Sequence, residues 1–240
     1  MTRLEKAIAQ VNEHRMTDVL ENFLGPEEDL DPELVPYLEK SKFLGQVLKH
    51  PLVFDVPHFD RMNHRANEAL RYKKQALAEA VAAKRWYTVL MLHERPYRPD
   101  GFVKYAHLMD DVSYWETAGA MWVDTENHHQ WRNLTSFIYE APRPRREFLM
   151  NEDEREALAA LPDDLIVYRG YQSHGAKCWD WSLDINVARF FANRFNCEGT
   201  IATGHVKKAN VIAYFTNRGE DEIFVNPKHV TLKARTPAAV

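Results

Sequence analysis

Three short stretches in the last third of this 240-residue chain have residue types and spacing suited to chemistry. Arg169 ends the apolar run Leu165-Ile166-Val167-Tyr168 and is followed at once by Gly170. A planar, permanently charged guanidinium suits a phosphate or pyrophosphate, and a glycine beside it lets a ligand approach the backbone closely. Ser182 follows Trp179 and Trp181 and stands just before a helix for which Asp184 is the expected N-cap. Glu220-Asp221-Glu222 follows Arg218-Gly219 and leads directly into Ile223-Phe224-Val225. Strand alternation would put Glu220 and Glu222 on one side and Asp221 on the other. Two like charges on one face repel, and an acid opening a buried strand is costly unless a partner or substrate uses it. Each stretch also has a plain structural role: a surface arginine, a helix-start hydroxyl, a solvated turn.

Their order carries more than any one of them. Tyr168-Arg169-Gly170, then Trp181-Ser182-Leu183 before a helix containing Ala188 and Phe191, then Glu220-Asp221-Glu222 entering a strand, resembles the Arg-Ser-Glu class of ADP-ribosyltransferases, phage and bacterial mono-ADP-ribosyltransferases in particular. The resemblance covers roughly residues 165 to 230, and the lead-in MNEDEREALAALPDD resembles the helix before the arginine strand in such proteins. Where many members have Ser-Thr-Ser, this chain has Ser182-Leu183-Asp184.

The resemblance implies NAD as co-substrate, no metal, and a set of roles. Arg169 would clamp the dinucleotide phosphates, and Gly170 would offer backbone groups to the nicotinamide carboxamide, with Tyr168 beside them. Ser182 would hold Glu222 and orient the ribose. Glu222 would face the oxocarbenium-like sugar as the nicotinamide bond breaks, stabilising the transition state more than the ground state. An aromatic ring should line the nicotinamide site; Phe191 is favoured over Phe195 and Trp181. Glu220 matches the position that handles the acceptor, which makes a protein arginine guanidinium the first expectation and nucleic acid the second. Water as acceptor would make an NAD glycohydrolase, and a catalytically silent binding protein on the same fold is the rival of another class.

These residues need a scaffold, and the rest of the chain reads as one. LIVYRG, TIATGHV, NVIAYFT, EIFVNP and HVTLKA are short β-rich runs separated by turn residues, interrupted by one helix from about Ile185 to Arg194. Asn151 and Glu154 form a capping-box pattern that opens a helix through Ala160. Helix is also expected around Tyr114 to Val123, and ERPYRPDG at 94–101 reads as a loop. Residues 1 to 95 read as helical, with helical spacing in LEKAIAQVNEHRMTDVLENFL, one long helix in ANEALRYKKQALAEAVAAKRWYTVLML, and prolines marking short helices between. The expected fold is therefore α+β: a helical region of unassigned role over 1–100, then a β-rich ADP-ribosyltransferase-like module over 101–240.

Composition narrows the remaining classes. At 45% hydrophobic and 28% charged residues the chain is an ordinary globular one, and no run approaches a membrane span. A cytoplasmic protein with free thiols at Cys178 and Cys197 is expected. A net charge of −4 leaves no footprint for bulk nucleic-acid binding. Residues 165–235 nevertheless hold ten Lys or Arg against six Asp or Glu, a balance of +4 that leaves −8 elsewhere. The basic part could attract an anionic ligand, and the acidic remainder could mask it or bind an inhibitory partner. His58, Asp60 and His64, and Glu126 with His128 and His129, lack the spacing of a metal framework.

Overall fold

The computed structural model describes residues 26–125, 131–172, 175, 177–194, 199–216 and 219–238. Phe195, Cys197, Arg218, the 126–130 histidine stretch and the N-terminal amphipathic segment lie outside them. The chain divides into two compact units, with the boundary between Gly101 and Phe102.

In the first unit, strands β1 (Leu38–Ser41), β2 (Gly45–His50) and β3 (Val53–Asp55) form an antiparallel sheet in the order β1-β2-β3. This corrects the expectation of short helices here. Gly45, at φ +72°, allows the tight turn into β2, and Val47 and Leu48 are both buried. Helical spacing is realised in α1 (Asn63–Ala82), whose Ala66, Leu70, Leu77 and Ala80 are buried. Asn63 and Asn67, one turn apart on α1, strap the preceding segment: Asn67 donates to Glu28 Oε1 and the Asp29 carbonyl and accepts from the Asp31 amide. The expected single long helix is two, because Lys84 adopts a left-handed φ of +53° and α2 (Trp86–Leu92) starts afresh. ERPYRPDG is not an open loop either: a 3-10 turn at Arg95–Tyr97 leads into α3 (Arg98–Tyr105).

The second unit is built on an open, wholly antiparallel six-stranded sheet in the order β7-β8-β5-β4-β6-β9. Its strands are β4 (Asp164–Tyr171), β5 (Asp180–Ser182), β6 (Thr200–Lys207), β7 (Val211–Phe215), β8 (Glu222–Val225) and β9 (Thr231–Pro237). Each of the five β-rich runs of the sequence contains a strand, although NVIAYFT, EIFVNP and HVTLKA run past the strand ends into turns. β4 pairs with β6 along eight residues, but with β5 through the single pair Tyr168↔Ser182. The sheet is thus two halves, β9-β6-β4 and β5-β8-β7, joined at one point.

Helices cover this sheet. Asp110 caps α4 (Asp111–Asp124) by accepting from the Ser113 amide, and Trp115, Ala118 and Trp122 line its buried face at helical spacing. Trp122 and Tyr139, the latter at the end of α5 (Arg132–Tyr139), pack on Phe224 of β8 with ring centroids 4.2 and 4.8 Å away. The capping box opens α6 (Glu152–Ala160), with both reciprocal bonds between Asn151 and Glu154 made. Asp184 caps α7 (Ile185–Ala192), accepting from the Asn186 amide at 2.7 Å. No helix among the described residues is long and apolar enough to cross a membrane.

Gly170 is where α7 meets β4. A Cβ there would stand 1.7 Å from the Ala188 carbonyl oxygen and 2.6 Å from the Ala192 nitrogen. Backbone cannot yield as a side chain can, so Gly170→Ala should cost about 3 kcal/mol or more. Gly219→Ala meets nothing within 4 Å but keeps a φ of +65°, which costs a side chain about 1 kcal/mol. Urea midpoints of the two variants should rank in that order.

Candidate active site

The single joint between the sheet halves lies among the residues singled out for chemistry. Tyr168 of β4 pairs with Ser182 of β5, Ser182 with Glu222 of β8, and Glu222 with Phe215 of β7. Directly paired residues of adjacent strands present their side chains to the same face, so these four form one row across the sheet. Arg169 is the next residue along β4. Residues 53 or 54 positions apart in the chain are thereby gathered over three adjacent strands.

Arg169 has only 15% of its side chain exposed and forms an ion pair with the Asp180 carboxylate; one Nη also donates to the Asp180 carbonyl at 2.7 Å. Its Nε is buried without a hydrogen-bond partner. Burial works against the charge, and the nearby Asp180, Cys178 and Glu222 outweigh it, so the guanidinium pKa is raised. A permanent cation is therefore held at the joint, within electrostatic reach of Glu222.

Ser182 is held by main chain. Its hydroxyl donates to the Glu220 carbonyl at 2.7 Å and accepts from the Asp184 amide at 2.9 Å, tying the acidic loop to the start of α7. The Leu183 amide adds a bond to the Asp221 carbonyl at 3.0 Å. The expected hold of Ser182 on Glu222 thus runs through the backbone of Glu220. Leu183 and Asp184 serve the same junction, Asp184 as a helix cap.

Glu222 opens β8 and is 8% exposed. Its Oε1 accepts from the indole Nε1 of Trp122 at 2.7 Å. The expected pairing of Glu220 and Glu222 on one strand face is overturned, because Asp221 takes a left-handed φ of +43° and the strand begins only at Glu222. That turn separates the acids: Glu222 is buried, Glu220 stays partly exposed, and Asp221 accepts from the Tyr214 hydroxyl at 2.8 Å. A non-glycine residue at positive φ is strained, and here the Tyr214 bond and the Leu183 amide fix it.

Gly170 and Tyr168 sit under α7, Tyr168 packed against Ala188, Ala192 and Ile201. Gly170's missing side chain thus has a packing cause. Phe191, half-buried in the last turn of α7, lies edge-on to Phe190 and beneath the Arg194 guanidinium. Trp181 is core, 3% exposed, with its indole bonded to the Cys178 carbonyl. In the first unit, His58 bonds Asn63 at 3.0 Å, and His64 faces Glu28 and Glu68 at 3.5 Å each.

Three contributors were not singled out in the sequence: Asp180, the partner of Arg169, Trp122 and Tyr214. Trp122 lies 100 residues before Glu222, and its only sequence signal is general: a buried indole N–H needs an acceptor. Tyr214 is equally silent until the turn at Asp221 is seen. No family model, curated protein or solved structure matches the chain.

Burial, with the Asp221 bond and charge added, pushes the Tyr214 phenol from 10.0 up to about 12. A folded-state pKa above the unfolded value stabilises below the unfolded value and fades as pH rises through the folded one. The urea midpoint of the wild type should therefore fall more steeply than that of Tyr214→Phe between pH 10 and about 12. Tyr114, pushed to about 12 chiefly by its own burial, titrates in both proteins and cancels in the comparison. Parallel curves would exclude Tyr214 as a fastener of the acidic turn.

Proposed function

We propose that this chain is an NAD-dependent mono-ADP-ribosyltransferase that breaks the nicotinamide–ribose bond and passes ADP-ribose to a macromolecular acceptor, a protein arginine first. The observation that carries the reading is the row Tyr168–Ser182–Glu222, with Arg169 beside it. A cation suited to a diphosphate stands on β4 one residue from the joint, at the alternate position to that row, and close enough to the buried Glu222 carboxylate for their charges to interact. The family resemblance of the three motifs supplies the substrate; the geometry supports it by bringing the motif residues together.

In this reading Arg169 neutralises the NAD phosphates, exchanging part of its contact with Asp180. Glu222 faces the anomeric carbon as the C1′–N bond breaks and its electron pair leaves with nicotinamide. Ser182 keeps the Glu220–Glu222 turn in place. The acceptor guanidinium nitrogen then bonds to C1′ and gives up a proton, which Glu220, the more exposed acid, is placed to take. Tyr168 and Gly170 contribute by seating α7, and Phe191 is the ring proposed to line the nicotinamide site.

A second reading has an observation of its own. Ser182's hydroxyl is committed to main chain and Glu222 is 8% exposed, which favours a protein that binds a nucleotide without cleaving it. Nicotinamide release on mixing with NAD separates the two. In the first reading, Glu222→Gln should slow release by about a hundredfold or more, the scale on which lost transition-state electrostatics act. Equal release by wild type and variant would remove Glu222 from the mechanism. Glu220→Ala, incubated with adenylate-labelled NAD and cell lysate, should lose label transfer while retaining hydrolysis. Full transfer by that variant would exclude Glu220 as the acceptor's base.

A further inference from the structure

We propose that Trp122 is a positioning residue for Glu222, holding its carboxylate in the one orientation and charge state the reaction needs; this rests on the functional reading above. The bond is short, 2.7 Å from indole Nε1 to Oε1. Both partners are buried, Trp122 at 3% and Glu222 at 8% exposure. An indole N–H donates and has no acceptor capacity, so it can meet Glu222 only at an oxygen lone pair and cannot exchange roles as a hydroxyl can. Donation to the charged form favours ionisation against the cost of burial.

The indole is itself fixed. Its ring lies 4.2 Å from Phe224, two residues along β8 from Glu222, and meets Tyr139 edge-on at 5.6 Å and 86°. The Tyr139 hydroxyl in turn donates to the Ala118 carbonyl on α4 at 2.9 Å, one turn before Trp122. Trp122 cannot turn away without opening this aromatic cluster, so Oε1 is tethered to a rigid body. The catalytic unit then reaches back to α4, well before the motif-bearing segment. Ser182 sets the backbone of the acidic turn, whereas Trp122 sets the side chain.

The test uses the full chain with 13C-labelled glutamate side chains, the Glu222 resonance being assigned by its loss in Glu222→Gln. Trp122→Phe keeps a ring against Phe224 and removes the N–H. The Glu222 titration midpoint should rise by about one pH unit relative to wild type, the scale of one lost hydrogen bond to a charged group. The kcat for nicotinamide release should fall about tenfold with KM nearly unchanged. The acid limb of kcat/KM should move up with the carboxylate. Tyr139→Phe, which loosens the same cluster but leaves the indole N–H, should lower stability without moving the midpoint. A folded Trp122→Phe with an unmoved Glu222 midpoint and unmoved acid limb would overturn the proposal, as would an equal shift in Tyr139→Phe. A moved midpoint in a protein whose wild type releases no nicotinamide would uphold the hold of Trp122 on Glu222 and overturn the functional reading instead.

Discussion

A carboxylate at the buried start of a strand has to be repaid locally, and most of the second unit's architecture bears on how Glu222 is repaid. Burying an ionised acid without donors or a countercharge costs several kcal/mol, roughly the scale of a whole domain's net stability. Among the described residues, three elements answer this from different directions: α4 supplies the indole donor, β4 supplies the Arg169 charge, and β5 supplies the strand partner that fixes where the acid stands. Each comes from a separate part of the chain. A change in any of them alters the electrostatics of the acid as well as local packing.

The split sheet follows from the same requirement. Had β4 and β5 paired along their whole length, Arg169 would face ordinary ladder neighbours; with one pair, its side chain reaches the Asp180 carbonyl and carboxylate instead. The joint is then kept closed by contacts that do not belong to the sheet ladder. Ser182 ties the acidic turn to α7, and α7 lies so close on β4 that only glycine fits at 170. The resulting site is cationic on one strand and anionic two strands over, with a small hydroxyl between.

What was legible in the sequence is what local chemistry determines. The Asn151–Glu154 box, the Asp184 cap and the five β-rich runs act within a few residues, and each appears where the pattern places it. The three-stranded sheet over 38–55 was hidden because proline-punctuated, charged segments such as LEKSKFLGQVLKH fit short helices and strands alike. The break at Lys84 was hidden for a similar reason: nothing in Ala82-Ala83-Lys84-Arg85 forbids helix, and a left-handed residue decides it. At the site, the order of Arg169, Ser182 and Glu222 was visible but their registration was not, since pairing is a property of strands far apart in sequence. Asp221 misled directly. Period-two alternation assumes extended backbone, and its φ of +43° sends Glu220 and Glu222 to different surroundings.

That turn also bears on Asp184, which stands where the proteins this motif resembles carry a hydroxyl. A helix needs an acceptor for its first amides, and a carboxylate supplies one at least as well as a serine does. Asp184 makes that bond to Asn186, while its own amide is bound by Ser182. The third residue of the motif is therefore turned toward α7 and away from Glu222, and a hydroxyl there would do the same work. Among the side chains of this segment, Ser182 is the one that must donate to one strand's loop and accept from the next helix at once. Alanine would break both bonds, and threonine would have to place an extra methyl group at a position only 6% exposed. Serine meets both constraints with the smallest side chain that carries a hydroxyl.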